Sequence, residues 1–241
     1  GSGAAQEMHR RWFESHLGKF NLIYKNRSDE FHGLGIAGPK SRDLLQKIVR
    51  EDVSNDKFKF RDSRKMFVAG VPAIVNRLSF TGELGYEIYV APHFQIKLYE
   101  ELMEAGKEFN IKPFGSRALM SMRLEKNWGA WTLDYRPDFT AKETGLDVFI
   151  NWNKEFIGKN YAKKDESKNK LVPLIVETND IDVTYNEAVM KGDKSIGYVT
   201  SGGFAHFVNK SVALSYLDTN ELNSGKGIQV EINGDLFNCS I

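Results

Sequence analysis

The sequence is poor in several residue types and patterns, and each scarcity excludes a class of protein. It contains one cysteine, Cys239, which excludes a disulfide framework and a zinc site built from cysteines. No apolar run approaches the roughly 20 residues that a membrane-spanning helix needs. Residues 1–6 lack a basic segment followed by an apolar one, so no secretory signal is visible. We therefore expect a soluble, cytoplasmic protein.

An excess of one charge sign is also lacking. The 241 residues carry 33 Lys and Arg against 32 Asp and Glu, a formal net charge of +1. Proteins that bind nucleic acid normally show a clustered basic excess. The five histidines include no pair at the i, i+4 spacing of a helical metal site. These patterns argue against nucleic acid, a membrane or a metal ion as a partner.

The predicted secondary structure divides the chain into two regions. Residues 1–166 mix helix-like and strand-like segments without strict alternation, which predicts an α+β region. Residues 163–170 contain no apolar residue and are typical of a solvated linker. Residues 167–241 show strand-like patterns and no helix-like one, which predicts a small β-barrel or sandwich.

Hydrophobic periodicity predicts the elements of both regions. The helices are expected at residues 4–17, 39–50, 93–109 and 116–126. Strands of the first region are expected at residues 20–24, 66–71, 73–80 and 86–90. Strands of the second region are expected at residues 171–177, 187–190, 195–200, 211–217 and 227–232.

A glycine-rich segment, residues 33–38, formally matches the dinucleotide-binding pattern G-x-G-x-x-G. Such a site also needs a second parallel strand that carries an acidic ribose ligand. The charged residues 51–64 contain no hydrophobic strand of that kind. We therefore favour a strand that passes close to another element and then turns into a helix at Pro39.

Residues 77–90 carry more polar and charged side chains, including two carboxylates, than a purely structural role requires. Alternation places Glu87 and Tyr89 on the strand face opposite Tyr86 and Ile88. A carboxylate beside a glycine-lined turn can hold an amino-pteridine-like or guanidino edge through two hydrogen bonds. From the residues alone, a solvent-facing glutamate on a half-exposed strand remains the default interpretation.

Two arginines interrupt the otherwise apolar helix predicted at residues 116–126. A buried arginine needs a partner, so we interpret Arg123 as a member of an ion pair within the fold. Arg117 stays open between a structural and a functional role. No G-x-S-x-G pattern marks a nucleophilic serine.

Several ordered motifs together resemble the folate-binding aminomethyltransferase family, which includes the T-protein of the glycine cleavage system. They occupy most of the chain, and their variants are most similar to the C-terminal half of the dimethylglycine and sarcosine dehydrogenases. The motifs lie at residues 38–45, 80–90, 113–126, 128–131, 136–140, 144–146, 200–203 and 210–214.

The resemblance implies a cloverleaf T-protein fold, here partial, that ends in a small β-barrel and holds tetrahydrofolate in a central funnel. It implies one-carbon transfer, as aminomethyl or methylene, from glycine, sarcosine or dimethylglycine to tetrahydrofolate. FAD would belong to a separate or missing N-terminal flavin oxidoreductase domain or subunit. The location would be cytoplasmic, or the mitochondrial matrix in a eukaryote. The alternative is a folate-binding or docking module without transferase activity.

Site residues are implied in the same way. Glu87 matches the carboxylate that anchors the pteridine ring, and Tyr89 shares its strand face. Phe80 stands where the family commonly has a tyrosine. Glycine cleavage members carry an arginine at the position of Leu119, and we include Arg117, two residues earlier, in the binding set.

The resemblance assigns no catalytic residue and no metal ligand to this chain. The family's catalytic aspartate lies in a segment that precedes the residues present here. Relatives also continue past the last barrel strand. We therefore expect a fragment or a truncated gene product.

Overall fold

The computed structural model describes residues 3–178, 180–224 and 227–241. The chain divides into two compact units. Phe13–Leu119 forms one, here called the sheet unit, and Gly1–Trp12 with Met120–Ile241 forms the other, here called the barrel unit. The expected domain boundary between residues 166 and 167 lies inside the barrel unit and stays a prediction.

The sheet unit is built on four antiparallel strands in the order β1–β4–β3–β2. Two helices, α2 and α3, pack on this sheet through Leu44, Leu45, Leu98 and Leu102, which join the strand residues in one hydrophobic core. The elements are β1 His32–Ala37, α2 Ser41–Ile48, β2 Ser63–Val68, β3 Val71–Asn76, β4 Gly85–Val90 and α3 Gln95–Gly106.

The two faces of this sheet differ. Successive side chains of a strand point to opposite faces, and Tyr86, Ile88 and Val90 of β4 are fully buried in the core. Glu87 and Tyr89 are half-buried and lie on the other face, which we call the second face. The alternation predicted for this strand is confirmed.

The barrel unit contains a closed β-barrel with the strand order β10–β5–β8–β7–β6–β9. Its core consists of aliphatic side chains from these strands, among them Leu174, Val199, Leu217 and Val230. The strands are β5 Asn169–Val176, β6 Ala188–Lys191, β7 Lys194–Ala205, β8 Lys210–Asp218, β9 Ile228–Ile232 and β10 Asp235–Ser240. The α+β region and the C-terminal barrel are therefore both confirmed.

Three further α-helices lie in the described residues. They are α1 Gln6–Leu17, α4 Ser116–Glu125 and α5 Lys159–Lys163. α1 and α4 each cross a division between the two units. In the part of the chain that the structure describes, none of the helices is long and apolar enough to cross a bilayer.

Two predictions about strands are wrong. Residues 20–24 form no strand, and Ile23 is 98% exposed there. A strand needs a neighbour for its backbone hydrogen bonds, and apolar residues alone do not supply one. Strand β10 was not predicted, although Asn233-Gly234 before it is a strong hairpin signal, and both residues have the positive φ that such a turn requires.

Candidate functional site

Strand β1 supplies the second face with glycines beside the polar side chains of β4. Gly35 is paired with Glu87, and Gly33 with Tyr89. Residues that are directly opposite in antiparallel strands share a face and lie about 5 Å apart. A Cβ built at Gly35 meets no atom within 4 Å, so the Glu87 side chain borders open space on that side.

A cavity of about 270 Å³ occupies this space. We call it the Glu87 cavity. Three of the predicted site residues, Phe80, Glu87 and Tyr89, line it together. Sequence reasoning missed the other walls, which include Gly33, Gly35, Ser79, Phe114 and Leu119. The glycines could have been found from the G-x-G-x-x-G pattern, whereas nothing local marks Phe114.

A hydrogen bond orients the carboxylate in the Glu87 cavity. The Tyr89 hydroxyl donates to Glu87 Oε2 at 2.8 Å. Among the described residues no second hydrogen bond to the Glu87 carboxylate is present, so Oε1 can accept from a ligand. A carboxylate held at one oxygen and free at the other suits a ligand edge that carries N–H donors.

Burial raises the pKa of Tyr89 to about 12, and the hydrogen bond to Glu87 acts in the same direction. The phenol therefore stays protonated, and remains a donor, throughout the neutral range. The contribution of the protonated Tyr89 phenol to the free energy of unfolding is fully present below the ordinary pKa of 10.0. It is lost as the pH rises toward about 12.

Alkaline titration of the tyrosinate absorbance tests this pKa. We expect Tyr89→Phe to remove a component that titrates near pH 12 in the native protein. Tyr99→Phe, which removes an exposed phenol on α3, is the control and should leave that component in place. If the component that Tyr89→Phe removes titrates near the ordinary pKa of 10.0 instead, the assignment is contradicted.

Gly33 has no side chain at a point where the Tyr89 ring lies close to the β1 backbone. A Cβ built there would lie 3.1 Å from Cε1 of Tyr89, so a larger residue would displace the ring. This agrees with the interpretation of a strand that passes close to another element. The dinucleotide alternative is wrong, because β1 pairs antiparallel with β4 and no parallel β-α-β unit follows it in the described residues.

The turn between β3 and β4 positions Phe80 beside the Glu87 cavity. Ser79 Oγ donates to the carbonyl of Glu83 at 2.5 Å, and the backbone N–H of Glu83 donates to Thr81 Oγ1 at 3.2 Å. Gly85 follows, where a Cβ would lie 2.7 Å from the carbonyl oxygen of Ile36. These contacts hold the Phe80 backbone at the rim of the Glu87 cavity.

Arg117 is not brought to this cavity. It is exposed in the first turn of α4 and is absent from the cavity lining, whereas Leu119 lines the cavity. The reason is helical geometry, since positions two residues apart point about 200° away from each other. A binding role for Arg117 stays a prediction.

Arg123 is confirmed as a structural ion pair. Its Nη1 donates to Asp134 Oδ2 at 2.6 Å, and the two side chains are 1% and 0% exposed. Ser201 accepts from Arg123 Nη2 at 2.6 Å, and Thr200 donates to Asp134 Oδ1 at 2.5 Å. The backbone N–H of Ala130 also donates to Asp134, at 2.7 Å. This network ties residues 123–134 to β7 within the barrel unit.

Across residues 3–178, 180–224 and 227–241, no group of three or more His, Cys, Asp or Glu side chains is arranged to hold a metal ion.

Comparison with known proteins identifies relatives along the whole chain. Mitochondrial dimethylglycine dehydrogenase of Homo sapiens is 37% identical over 97% of this chain, which covers 28% of that protein. An aminomethyltransferase of Caldanaerobacter subterraneus subsp. tengcongensis is 34% identical over 92% of this chain, which covers 60% of that protein. The chain thus spans less than two thirds of either relative.

A solved structure shares the fold. The glycine cleavage system aminomethyltransferase T from Bartonella henselae superposes with a TM-score of 0.84, at 21% sequence identity, over 99% of this chain and 65% of that one. At this identity the likeness concerns the fold alone.

Two family models match in tandem. The model described as the GCVT N-terminal domain matches residues 1–154, and the model described as the glycine cleavage T-protein C-terminal barrel domain matches residues 169–241. The second match coincides with the closed barrel, which begins at Asn169. This chain belongs to the glycine cleavage T-protein family.

Proposed function

We propose that the chain binds tetrahydrofolate in the Glu87 cavity and serves one-carbon transfer in the catabolism of glycine, sarcosine or dimethylglycine. The observation that carries the proposal is the half-buried Glu87 carboxylate, held at Oε2 by Tyr89 beside a wall of glycines. Support also comes from the relatives, which are named as an aminomethyltransferase and as dimethylglycine dehydrogenase.

The residues present fit a reduced pteridine. Its amino-pyrimidine edge presents N–H donors, and Glu87, whose Oε1 can accept a hydrogen bond, lines the cavity. Gly35 offers room for a flat ring, because a Cβ built there meets no atom within 4 Å. Phe80, Phe114 and Leu119 give the cavity apolar walls for the ring faces.

The residues of this chain act by binding and orientation. Glu87 would fix the edge of the pteridine, and Tyr89 would keep the carboxylate in one orientation. Tetrahydrofolate, when bound, supplies the amine nitrogens that accept the one-carbon unit. Positioning a nucleophile in this way can supply several kcal/mol of rate enhancement. No residue of the chain is assigned to proton transfer.

A flavin oxidoreductase domain or subunit is the proposed partner. It would carry FAD and would oxidise the N-methyl amine that provides the one-carbon unit. The chain matches only 28% of the human dehydrogenase, so the oxidation step is proposed for a different part of such a protein. A mitochondrial matrix location in a eukaryote, or a cytoplasmic one otherwise, belongs to the same proposal.

Anaerobic calorimetric titration with tetrahydrofolate tests the binding site. The chain is expected to bind with micromolar affinity, and Gly35→Val to weaken binding at least tenfold, because the valine side chain would fill the cavity. Valine is favourable in a strand, so the melting temperature should not fall. Ser63→Val is the matched control, since β2 presents Ser63 on the second face outside the Glu87 cavity.

The outcomes separate the proposal from its alternative. Absence of tetrahydrofolate binding by the native chain, or equal affinity in Gly35→Val, would contradict the site. Binding that is accompanied by no one-carbon transfer, when an N-methyl amine is oxidised in the same assay, would support the folate-binding or docking module instead.

A further inference from the structure

Two arginines of the sheet unit converge on one neutral oxygen. Asn55 Oδ1 accepts from Arg42 Nη2 at 2.7 Å and from Arg77 Nη2 at 2.6 Å. Arg42 belongs to α2, Asn55 to the loop between α2 and β2, and Arg77 directly follows β3. We call these three residues the Arg42–Arg77 cluster. The binding of a pteridine ring to Glu87 gives this cluster no role.

Both guanidinium groups are held against the hydrophobic core. Arg42 Nε donates to the hydroxyl of Tyr86 at 3.2 Å, and Arg77 Nη1 donates to the carbonyl oxygen of Phe58. Tyr86 and Phe58 are fully buried, and their rings stack with centroids 5.8 Å apart. The two arginines themselves are half-buried. The two positive charges are therefore fixed beside each other and are only partly screened by water.

No carboxylate neutralises these two charges. Among the described residues, neither Arg42 nor Arg77 forms an ion pair, and Asp56, next to Asn55 in the chain, is exposed and pairs with neither arginine. Asn55 contributes only the dipole of a neutral amide. Arg42 is also the second residue of α2, where the helix dipole disfavours a positive charge. The cluster thus lacks an anion.

The carboxylates that do form ion pairs near this loop have other partners. Asp43 lies 3.6 Å from the ammonium of Lys40, and Asp62 lies 3.0 Å from the guanidinium of Arg64. Asp62 also accepts from the backbone N–H of Lys59 at 2.9 Å. The missing negative charge therefore has to come from outside the described residues.

The free donors of the cluster suit a phosphate group. A guanidinium presents its N–H groups in a planar fork that matches phosphate oxygens, and such charge-assisted hydrogen bonds are stronger than neutral ones. Arg42 Nη1 and Arg77 Nε have no hydrogen-bond partner in the part of the chain that the structure describes. Asn55 is exposed, so its side chain can turn away and leave the place of Oδ1 to a phosphate oxygen.

We propose that the Arg42–Arg77 cluster binds a phosphate group, as inorganic phosphate or as the monoester of a small molecule, between the two guanidinium groups. The site lies apart from the second face of the sheet, and Arg42 reaches Tyr86 from the core side of β4. The inference goes beyond the proposed function and does not depend on the binding of a folate.

Calorimetric titration of the whole chain with inorganic phosphate tests the site. At about pH 8 phosphate is a dianion, and in a buffer without other oxyanions we expect saturable binding with a Kd of about 1 mM. Arg42→Gln should weaken binding at least tenfold, because a hydrogen bond to a charged group contributes roughly that factor. Arg50→Gln is the matched control, since Arg50 is exposed just after α2 and should leave the affinity unchanged.

A second variant supplies the anion from within the chain. Asn55→Asp places a carboxylate between the two arginines, so we expect the melting temperature to rise by about 2–4 °C. Phosphate affinity should fall at least tenfold, because the carboxylate repels the phosphate and occupies its place. Asn153→Asp adds the same charge at an exposed position of the barrel unit and should change neither quantity. This variant tests the proposal even if Arg42→Gln does not fold.

Titration with glycerol 3-phosphate identifies the source of the phosphate group. Binding of both ligands would support a site for phosphate monoesters, and binding of inorganic phosphate alone would support a site for the free anion. Absence of saturable phosphate binding by the native chain would overturn the proposal. Equal phosphate affinity in the native chain, Arg42→Gln and Asn55→Asp would overturn it as well. Neither result would affect the proposed function of the Glu87 cavity.

Discussion

Replacing Asp134 with asparagine should lower the free energy of unfolding of the barrel unit by about 3–5 kcal/mol. The carboxylate is fully buried and is the charge partner of Arg123, which is buried as well. Asparagine keeps the volume but leaves the guanidinium charge uncompensated in a low-dielectric interior, which is costlier than the pair itself. It also replaces one acceptor oxygen with an amide nitrogen, so either Thr200, which donates to Oδ1, or Ser201 and the Ala130 backbone, which donate to Oδ2, lose their acceptor.

Urea denaturation followed by tryptophan fluorescence measures this effect. All four tryptophans, Trp12, Trp128, Trp131 and Trp152, belong to the barrel unit, so the signal reports on that unit. Asp193→Asn is the control, because Asp193 is exposed in the turn between β6 and β7. Its change should stay within about 0.5 kcal/mol.

A double substitution separates charge from packing. Arg123→Met combined with Asp134→Leu removes both charges, and its loss of stability should be smaller than the sum of the two single losses. A single Asp134→Asn change that lowers the unfolding free energy no more than Asp193→Asn does would show that the buried pair is not important for stability.

Glu87→Ala is expected to weaken tetrahydrofolate binding at least tenfold while the melting temperature stays nearly unchanged. A hydrogen bond to a charged group contributes about 1.5–3 kcal/mol, which corresponds to roughly 10–100-fold in Kd. Folding loses little, because Glu87 is half-buried and the Tyr89 hydroxyl that it leaves can bond to water. Calorimetric titration and a melting curve measure the two quantities.

Two further variants control this prediction. Glu87→Gln keeps the shape and one acceptor oxygen, so its affinity should lie between those of the native chain and Glu87→Ala. Glu100→Ala removes an exposed carboxylate from α3 and should change neither affinity nor melting temperature. Unchanged folate affinity in Glu87→Ala would refute the role of this carboxylate.

The candidate site could be predicted in part. The period of two in β4 was enough to place Glu87 and Tyr89 on one face, opposite Tyr86 and Ile88, and the structure confirms it. The contact of Phe80 with the same cavity followed from its place in the motif. Arg117 was placed with them by nearness in sequence, which does not determine the direction of a side chain on a helix.

Other features depended on partners that are distant in sequence. The glycines of β1 predicted that another element lies close to this strand. The side chain that lies close to Gly33 is the ring of Tyr89, which is distant in sequence. Arg123 was expected to have a partner, yet Asp134, Thr200 and Ser201 could not be named. Nothing local distinguishes these polar residues from exposed ones.

The sequence by itself determined the local periodicities, the division into an α+β region and an all-β region, and the family, which ordered motifs along the chain identify. Only the tertiary structure decided that β1 pairs with β4, that the barrel closes through β10, and that Gly35, Phe114 and Leu119 line one cavity with Glu87. Helix and strand patterns depend on the spacing of neighbouring residues. Cavities and buried ion pairs depend on strand order and register, which long-range burial selects.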